Sequence, residues 1–119
     1  MFRILIDDND AHVKNFGFLH GQATGLTDVS DAVPSLHQAG WVSYDLALAV
    51  DGEFGWRRMT AERIRAGVQS WGLLPKRQAE TIIAGAVQAF ADASEESRPP
   101  RGATPGLRAH FLAAAERLS

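Results

Sequence analysis

Residues 5–16 read LIDDNDAHVKNF, an apolar pair followed by a dense run of polar side chains. Asn and Asp favour turns, because their side chains hydrogen-bond to nearby backbone groups. A solvated turn after a buried segment is therefore the simplest interpretation. The same run also places Asp, His, Lys and Asn within six positions of one another, and these groups can orient hydroxyls or bind hard cations. Whether this run is a plain turn or a catalytic or binding site depends on the sequence around it.

Composition narrows the class of protein. The chain has 119 residues, a formal net charge of −2 and 45% hydrophobic residues, which indicates one small domain with a real core. It contains no cysteine, which excludes a disulfide framework, zinc-thiolate sites and thiol catalysis. The sequence has no stripe of basic residues, so direct nucleic-acid binding is not expected. No apolar run is long enough for a membrane span or a signal peptide, so we expect a cytoplasmic protein.

The first half of the chain is predicted to contain short apolar elements. Residues 1–6 fit either a first strand or the last turns of a helix. Residues 16–20 alternate like a short strand, and GQATG at 21–25 predicts a hairpin turn. A second short strand is expected from Leu26 onward, and the apolar segment 41–50 fits a strand or a short helix.

The second half is predicted as about three helices, because apolar residues recur there at helical spacing. The first runs from the N-cap Thr60 to about residue 71, with Trp71 on its buried face, and the second follows Pro75. A polar linker is expected at 94–103, with Thr104 capping a last helix. The apolar stripes are formed by Ile64, Val68 and Trp71; by Ala79, Ile82, Ile83, Ala86, Val87 and Phe90; and by Leu107, Phe111, Leu112 and Ala115.

Asp10 and Asn15 have the Asp-x-x-x-x-Asn spacing of kinase catalytic loops. There the Asp orients the attacking hydroxyl, and the Asn offers an oxygen to Mg²⁺. A second carboxylate is then required, and the predicted hairpin would bring Asp31 towards Asn15. We assign Asp7 and Asp8 to the turn. The spacing alone is a weak signal, and a polar turn remains the commoner explanation for such a pair.

The wider segment resembles the catalytic loop of HipA-like serine/threonine kinases, the toxins of type II toxin-antitoxin systems. That loop has a Leu-Ile pair, a short polar link and then Asp-x-His-x-Lys-Asn-Phe. The matching residues here are Leu5, Ile6, Asp10, His12, Lys14, Asn15 and Phe16. LTDVSDAVPSL at 26–36 and LALAVDGEF at 46–54 are similar to two further family segments. The resemblance covers most of residues 2–93.

The resemblance implies a role for each matched residue. Asp10 would be the catalytic base, while Asn15 and Asp31 would bind the metal. His12 and Lys14 would contact phosphate or order the loop. The implied fold is α+β and mostly α, with a short β-hairpin that carries the catalytic and metal loops, followed by about three helices. Residues 1–93 would form the kinase-lobe segment, and 104–119 would add a helix to the same domain.

Two departures from the family pattern concern the metal-binding Asp. The family's Tyr before this Asp is Ser30 here, and its Pro is Asp28. Tyr44 and Asp45 offer an alternative Tyr-Asp pair. We prefer Asp31, because Asp45 is distant from the catalytic loop in sequence and already aligns with the Leu-Ala-Leu-Ala segment.

The resemblance also implies ATP and Mg²⁺ as cofactors. The phosphate-covering loop and the nucleotide-binding lysine of these kinases have no counterpart in this sequence. An N-terminal lobe or a split-gene partner would supply them, so we expect the chain alone to be inactive. A small DNA-binding antitoxin is an implied partner, and a homo-oligomer is a further option. Two alternatives remain: a non-catalytic interaction module derived from this fold, and an unrelated small helical domain.

Overall fold

The computed structural model describes residues 1–15, 17–21, 24–26, 32–38, 43–98 and 101–119. These residues form a mostly helical α+β fold, as predicted, but with two small antiparallel sheets. The helices are α1 (Phe2–Leu5), α2 (Ala61–Ser70), α3 (Lys76–Glu96) and α4 (Leu107–Leu118). The strands are β1 (Phe18–His20), β2 (Thr24–Leu26), β3 (Asp45–Val50) and β4 (Glu53–Gly55). Short 3₁₀ segments occur at Val13–Asn15, Ser35–Gln38 and Trp56–Arg58.

The predicted hairpin is present, but its turn is shorter than expected. β1 and β2 pair antiparallel, with Phe18 opposite Leu26 and His20 opposite Thr24. Thr24 and Gly25 therefore belong to the second strand and not to the turn. The rest of the predicted second strand, residues 27–31, lies outside the described residues.

A second hairpin lies where the sequence predicted a single ambiguous element. Val50 pairs with Glu53, so Asp51 and Gly52 form a two-residue loop between β3 and β4. Both have positive φ, 52° and 70°, as a type I′ turn requires. An Asp-Gly pair between two extended segments is a strong hairpin signal, and it identifies residues 45–50 as a strand.

The start of α2 is as predicted, but the end of its apolar face is not. Thr60 is the N-cap, and its Oγ1 accepts a hydrogen bond from the Arg63 backbone N–H at 3.3 Å. Ile64 is buried. Trp71, predicted on the same buried face, is 67% exposed. It is the C-cap residue, and the chain leaves the helix at Gly72, which has a φ of 65°.

The boundaries of the last two helices also differ from the prediction. α3 continues to Glu96, so the first three residues of the expected linker are helical, and Ser94 among them is buried. α4 begins after Gly106, which has a φ of 80°, and has no side-chain cap. Thr104 contributes its backbone carbonyl instead, which accepts from the Leu107 N–H at 3.3 Å. Glycine reaches this left-handed conformation without steric cost, and so it replaces a polar cap here.

The hydrophobic core joins elements from both ends of the chain. α1, β3, α2, α3 and α4 all contribute, and Met59 fills the space between them. The buried cluster consists of Ile4, Leu5, Leu46, Met59, Ile64, Ile83, Val87, Ala115 and Leu118. One short turn of helix is unstable by itself, so α1 depends on this packing. No helix within the described residues is long and apolar enough to cross a membrane.

Candidate functional site

The polar run begins where α1 ends. Ile6 is the C-cap of this helix, and Asp7 then turns the chain with a positive φ of 62°. Asp adopts this left-handed conformation more readily than most other non-glycine residues. The Asp8 N–H donates back to the Arg3 carbonyl at 2.9 Å, which closes the turn. The following loop leads through Asp10 into a 3₁₀ segment that ends at Asn15.

A buried ion pair holds the backbone of this loop in place. Arg3 Nη1 lies 2.5 Å from Asp8 Oδ2, and both side chains are almost fully buried. The other carboxylate oxygen of Asp8 accepts a hydrogen bond from the Asp10 backbone N–H at 3.0 Å. Arg3 Nη2 also donates to the Asn15 carbonyl at 3.3 Å. The same pair therefore holds the loop at Asp10 and at Asn15.

Asp10 and Asn15 also contact each other directly. Asn15 Nδ2 donates to the Asp10 backbone carbonyl at 2.9 Å, so the Asn15 amide oxygen remains available as a ligand. The Asp10 side chain is 70% exposed, and its carboxylate lies 3.7 Å from His12 Nε2. His12 Nδ1 is buried without a hydrogen-bond partner in the described part of the chain. Lys14 is exposed. Four of the five predicted site residues thus lie on this one loop, where Asp10 contacts Asn15 and lies near His12.

Asp31, the fifth predicted site residue, lies outside the described residues, as do Asp28 and Ser30. Its convergence with Asn15 therefore stays a prediction. The described ranges contain no group of three or more His, Asp or Glu side chains that could bind a metal. Mg²⁺ commonly takes only one or two protein ligands, with phosphates and water completing its shell. The Asn15 amide oxygen, which its hydrogen bond to the Asp10 backbone carbonyl does not use, fits such a sparse site.

The alternative metal residue, Asp45, is closer to the loop than its sequence position suggests. Asn9 Nδ2 donates to the Ser43 carbonyl at 2.7 Å, and the Ala47 N–H donates to the Asn9 carbonyl at 3.0 Å. The two hydrogen bonds flank Asp45, so the backbone at Asp45 lies near the loop in space, and the choice between Asp31 and Asp45 stays a prediction. Asp45 is exposed, and its charge contributes to the raised pKa of Arg58, after the Glu53 interactions.

Asp7 is a buried ionisable residue that the sequence analysis assigned only to the turn. Its side chain is completely buried, and its carboxylate contacts His110 Nε2 in α4. Burial raises the pKa of Asp7 to about 7, although the charge of Arg117 and the Trp56 indole N–H oppose the shift. Burial also lowers the pKa of His110, with smaller contributions from His37 and Arg117. The only sequence signal for this site was the position of Asp7 directly after two buried apolar residues.

Arg117 places a cation beside this pair. Its Nη1 donates to the Trp56 carbonyl at 3.2 Å and to the Met59 carbonyl at 2.9 Å. Its guanidinium also lies 4.3 Å from the centre of the Trp56 ring, a cation–π distance. The imidazole of His37 lies next to that of His110, with the ring centres 4.8 Å apart. These histidines have no metal-ligand spacing in sequence, yet the fold places their rings in contact.

Comparisons with known proteins agree with the resemblance seen in the loop. The family model of the HipA-like C-terminal domain matches residues 1–94. A solved structure of HipA from Shewanella oneidensis MR-1, in complex with HipB and operator DNA, is similar with a TM-score of 0.76 and 26% identity. The match covers 98% of this chain and 29% of that HipA chain. A search of curated proteins found no match.

The ion pair beneath the loop yields a stability prediction. Arg3→Met leaves the Asp8 charge buried without its partner, so we expect the free energy of unfolding to fall by about 3–5 kcal/mol. Arg3→Met combined with Asp8→Leu removes both charges and should lose less than Arg3→Met alone. Urea unfolding of the wild type, both single variants and the double variant measures the coupling. Additive losses would show that the two side chains do not support each other.

The raised pKa of Asp7 yields a pH prediction. An unfolded chain releases the Asp7 proton near pH 3.8, whereas the folded chain keeps it until about pH 7. Wild-type stability relative to Asp7→Asn should therefore decrease as pH rises between these values, by up to about 1.4 kcal/mol per pH unit. Asn keeps the side-chain shape and tolerates the positive φ. Urea unfolding at several pH values provides the test, and parallel curves for the two proteins would contradict it.

Proposed function

The chain belongs to the HipA-like C-terminal domain family, and we propose that it provides the catalytic loop for phosphoryl transfer by a HipA-like serine/threonine protein kinase. One observation carries this proposal. The Asp10 carboxylate is exposed on a loop whose backbone is held by a buried ion pair and by the Asn15 amide. The family match also excludes an unrelated small helical domain.

The residues of the loop would act by position and charge. The Asp10 carboxylate would accept a hydrogen bond from the substrate hydroxyl and orient it towards the transferred phosphate. The protein forms no covalent bond in such a reaction, so a fixed loop geometry supplies most of its contribution. The exposed Lys14 would place positive charge near the phosphate oxygens, and His12, 3.7 Å from Asp10, would contact phosphate or order the loop.

A magnesium ion would be held by Asn15 together with Asp31. The ion would neutralise charge on the nucleotide's phosphate oxygens during transfer. Asn15 supports this role, because its hydrogen bond to Asp10 uses the amide nitrogen and keeps the oxygen available. Asp45 is the lesser alternative to Asp31, since its charge already interacts with Arg58.

The remaining parts of a kinase would come from outside this chain, which spans 29% of the length of the Shewanella HipA. We propose that an N-terminal lobe or a split-gene partner brings the nucleotide-binding lysine and the phosphate-covering loop. The Shewanella HipA structure includes HipB and operator DNA, which supports a DNA-binding antitoxin as a partner here. ATP would then bind between this chain and the complementary lobe.

A non-catalytic interaction module is the second candidate. Trp71 and Leu73 follow α2, and Ile82 lies in α3; they are 67%, 78% and 52% exposed. Trp71 and Ile82 line the same pocket. Exposed large apolar side chains that lie near one another often mark a contact surface for another protein. Such a module would not need the oxygen groups of the loop, so metal binding separates the two candidates.

The first functional prediction concerns the chain by itself. With ATP, Mg²⁺ and a generic protein substrate, we expect no phosphate transfer above background, because the groups that bind the nucleotide are missing from the sequence. Transfer of radiolabelled γ-phosphate measures this directly. Turnover that disappears in Asp10→Ala would contradict the prediction and would show that the chain is a complete catalyst.

The second functional prediction concerns the metal. Mn²⁺ with ATP should broaden the NMR amide signals of residues 10–15, because a paramagnetic ion held by Asn15 lies beside them. Asn15→Ala should abolish the broadening. Asp31→Ala and Asp45→Ala form a matched pair that identifies the second ligand, and we expect only Asp31→Ala to weaken it. Broadening that none of the three substitutions changes would favour the interaction module.

A further inference from the structure

An open apolar groove lies between the end of α2 and the first half of α3, and the proposed phosphoryl transfer does not use it. Its volume is about 240 Å³, and its lining includes Val68, Leu74 and Ala86. Trp71 and Ile82 also line it, and these two side chains are 67% and 52% exposed. Apolar side chains scattered singly over a surface are normal, whereas an open groove with exposed apolar walls indicates contact with another molecule.

The second half of α3 has a shape that fits such a groove. Beyond Ile82, small residues continue along the exposed side of the helix and form a low ridge: Gly85, Ala89 and Ala93. A Cβ atom at Gly85 would meet no atom of the described residues within 4 Å, so a neighbouring helix has room to approach. Small side chains at a helix contact shorten the distance between the helix axes. The first half of α3 thus borders a groove, and the second half forms a ridge.

The charges at the two ends of α3 oppose the macrodipole of the helix. Acidic residues are favourable in the first turn of a helix and basic residues in the last turn. α3 has no acidic residue in its first turn and no basic residue in its last turn; it begins with Lys76 and Arg77 and ends with Glu95 and Glu96. This arrangement is unfavourable for a single helix. An antiparallel neighbour with the same charge pattern would make it favourable, because basic and acidic ends would then lie side by side.

Contacts within the chain compensate only part of this charge. Glu80 lies 4.0 Å from Lys76, and Arg108 of α4 donates to the Glu95 backbone carbonyl. Arg77 and Glu96 form no ion pair or side-chain hydrogen bond with the described residues. Among those residues, the uncompensated positive charge therefore lies at the groove end of α3, and the uncompensated negative charge lies at the ridge end.

A second copy of the chain matches both the shape and the charge. Two α3 helices packed antiparallel about a two-fold axis near Ala86 would place the ridge of each copy over the groove of the other. Arg77 precedes Ala86 by nine residues and Glu96 follows it by ten, so the same axis would bring these opposite charges together twice. Such an interface is isologous, since one surface is complementary to itself.

We propose that the exposed face of α3 is a self-association surface, on which two copies of the chain pack their α3 helices antiparallel, with Ile82 in the apolar contact and Arg77 of each copy paired with Glu96 of the other. The proposal is independent of the proposed kinase role, because it uses no residue of the loop 8–15.

Sedimentation equilibrium of the chain at low ionic strength, where surface charges are weakly screened, tests the apolar contact. The wild type should follow a monomer–dimer equilibrium. Ile82→Lys should raise the dissociation constant at least about tenfold, because it places a charge in each symmetry-related copy of the contact. Leu19→Lys is the matched control, since Leu19 on β1 is 67% exposed and lies outside the proposed interface. It should leave the equilibrium unchanged.

A charge exchange tests the antiparallel arrangement. Arg77→Glu and Glu96→Arg should each raise the dissociation constant by about tenfold, because each replaces two attractions in the dimer by two repulsions. The double variant should return to within about threefold of the wild-type value. The two positions are about 28 Å apart along one helix, so this rescue cannot occur within a chain. Both substitutions also agree with the macrodipole of α3, so neither weakens the helix of the monomer.

Three results would overturn the proposal. The first is a wild-type chain that stays monomeric up to about 1 mM, which would leave the groove to a different partner. The second is a dimer that Ile82→Lys leaves intact, and the third is a loss of association in the single charge variants that the double variant does not rescue. The charge variants provide the test if Ile82→Lys does not fold. Because no ATP or metal is present, failure of the proposed kinase role would not affect these results.

Discussion

The geometry of the candidate site depends on the buried ion pair between Arg3 and Asp8. Removing two charges from water costs several kcal/mol per ion, and the pair persists only where additional hydrogen bonds offset that cost. Here Asp8 also accepts from the Asp10 N–H, and Arg3 also donates to the Asn15 carbonyl. The groups that make the buried pair acceptable are therefore the two ends of the loop. The hydrogen bonds that stabilise the buried pair are therefore the same ones that fix the loop geometry.

Two adjacent carboxylates in this segment are neutralised in different ways. Asp8 is compensated by a permanent cation, since the guanidinium of Arg3 keeps its charge at any physiological pH. Asp7 is completely buried, which raises its pKa to about 7, so below neutral pH it carries its own proton. The first arrangement is independent of pH, and the second is not. The loop thus begins with one aspartate whose charge is constant and one whose charge depends on pH.

Local signals in the sequence were sufficient for much of the fold. The Thr60 cap and the apolar stripe of α3 depend on residues within a few positions. The cap is present as predicted, and Ala79, Ile83 and Val87 of the stripe are buried, but Ile82, predicted on the same stripe, is 52% exposed. The Asp51-Gly52 turn was just as local; the sequence interpretation took residues 51–56 as a turn-rich connection but did not identify the hairpin. The N-cap of α4 was predicted at Thr104 but lies at Gly106. A glycine in the left-handed conformation can begin a helix without a polar side chain, so the sequence carries no signal for it.

Sequence reasoning identified only the exposed residues of the candidate loop. Asp10, His12, Lys14 and Asn15 follow from residue types and spacing, which are properties of one short segment. The supports of that segment involve partners far along the chain, such as His110 for Asp7 and Ser43 for Asn9. No local pattern indicates which distant residue will fill a contact, so the two buried aspartates were assigned to a turn.

This division between exposed and buried residues bears on the choice between catalysis and simple binding. A loop that served only as a connection would gain nothing from a buried ion pair and a buried carboxyl beneath it, because both are costly unless fully satisfied. The fold accepts these groups while it leaves Asp10 and Lys14 in water. The buried groups thus fix the backbone of a loop whose exposed side chains themselves contribute little to stability. The proposed catalytic role would depend on such positioning, whereas a binding surface that includes Trp71 and Ile82 would not.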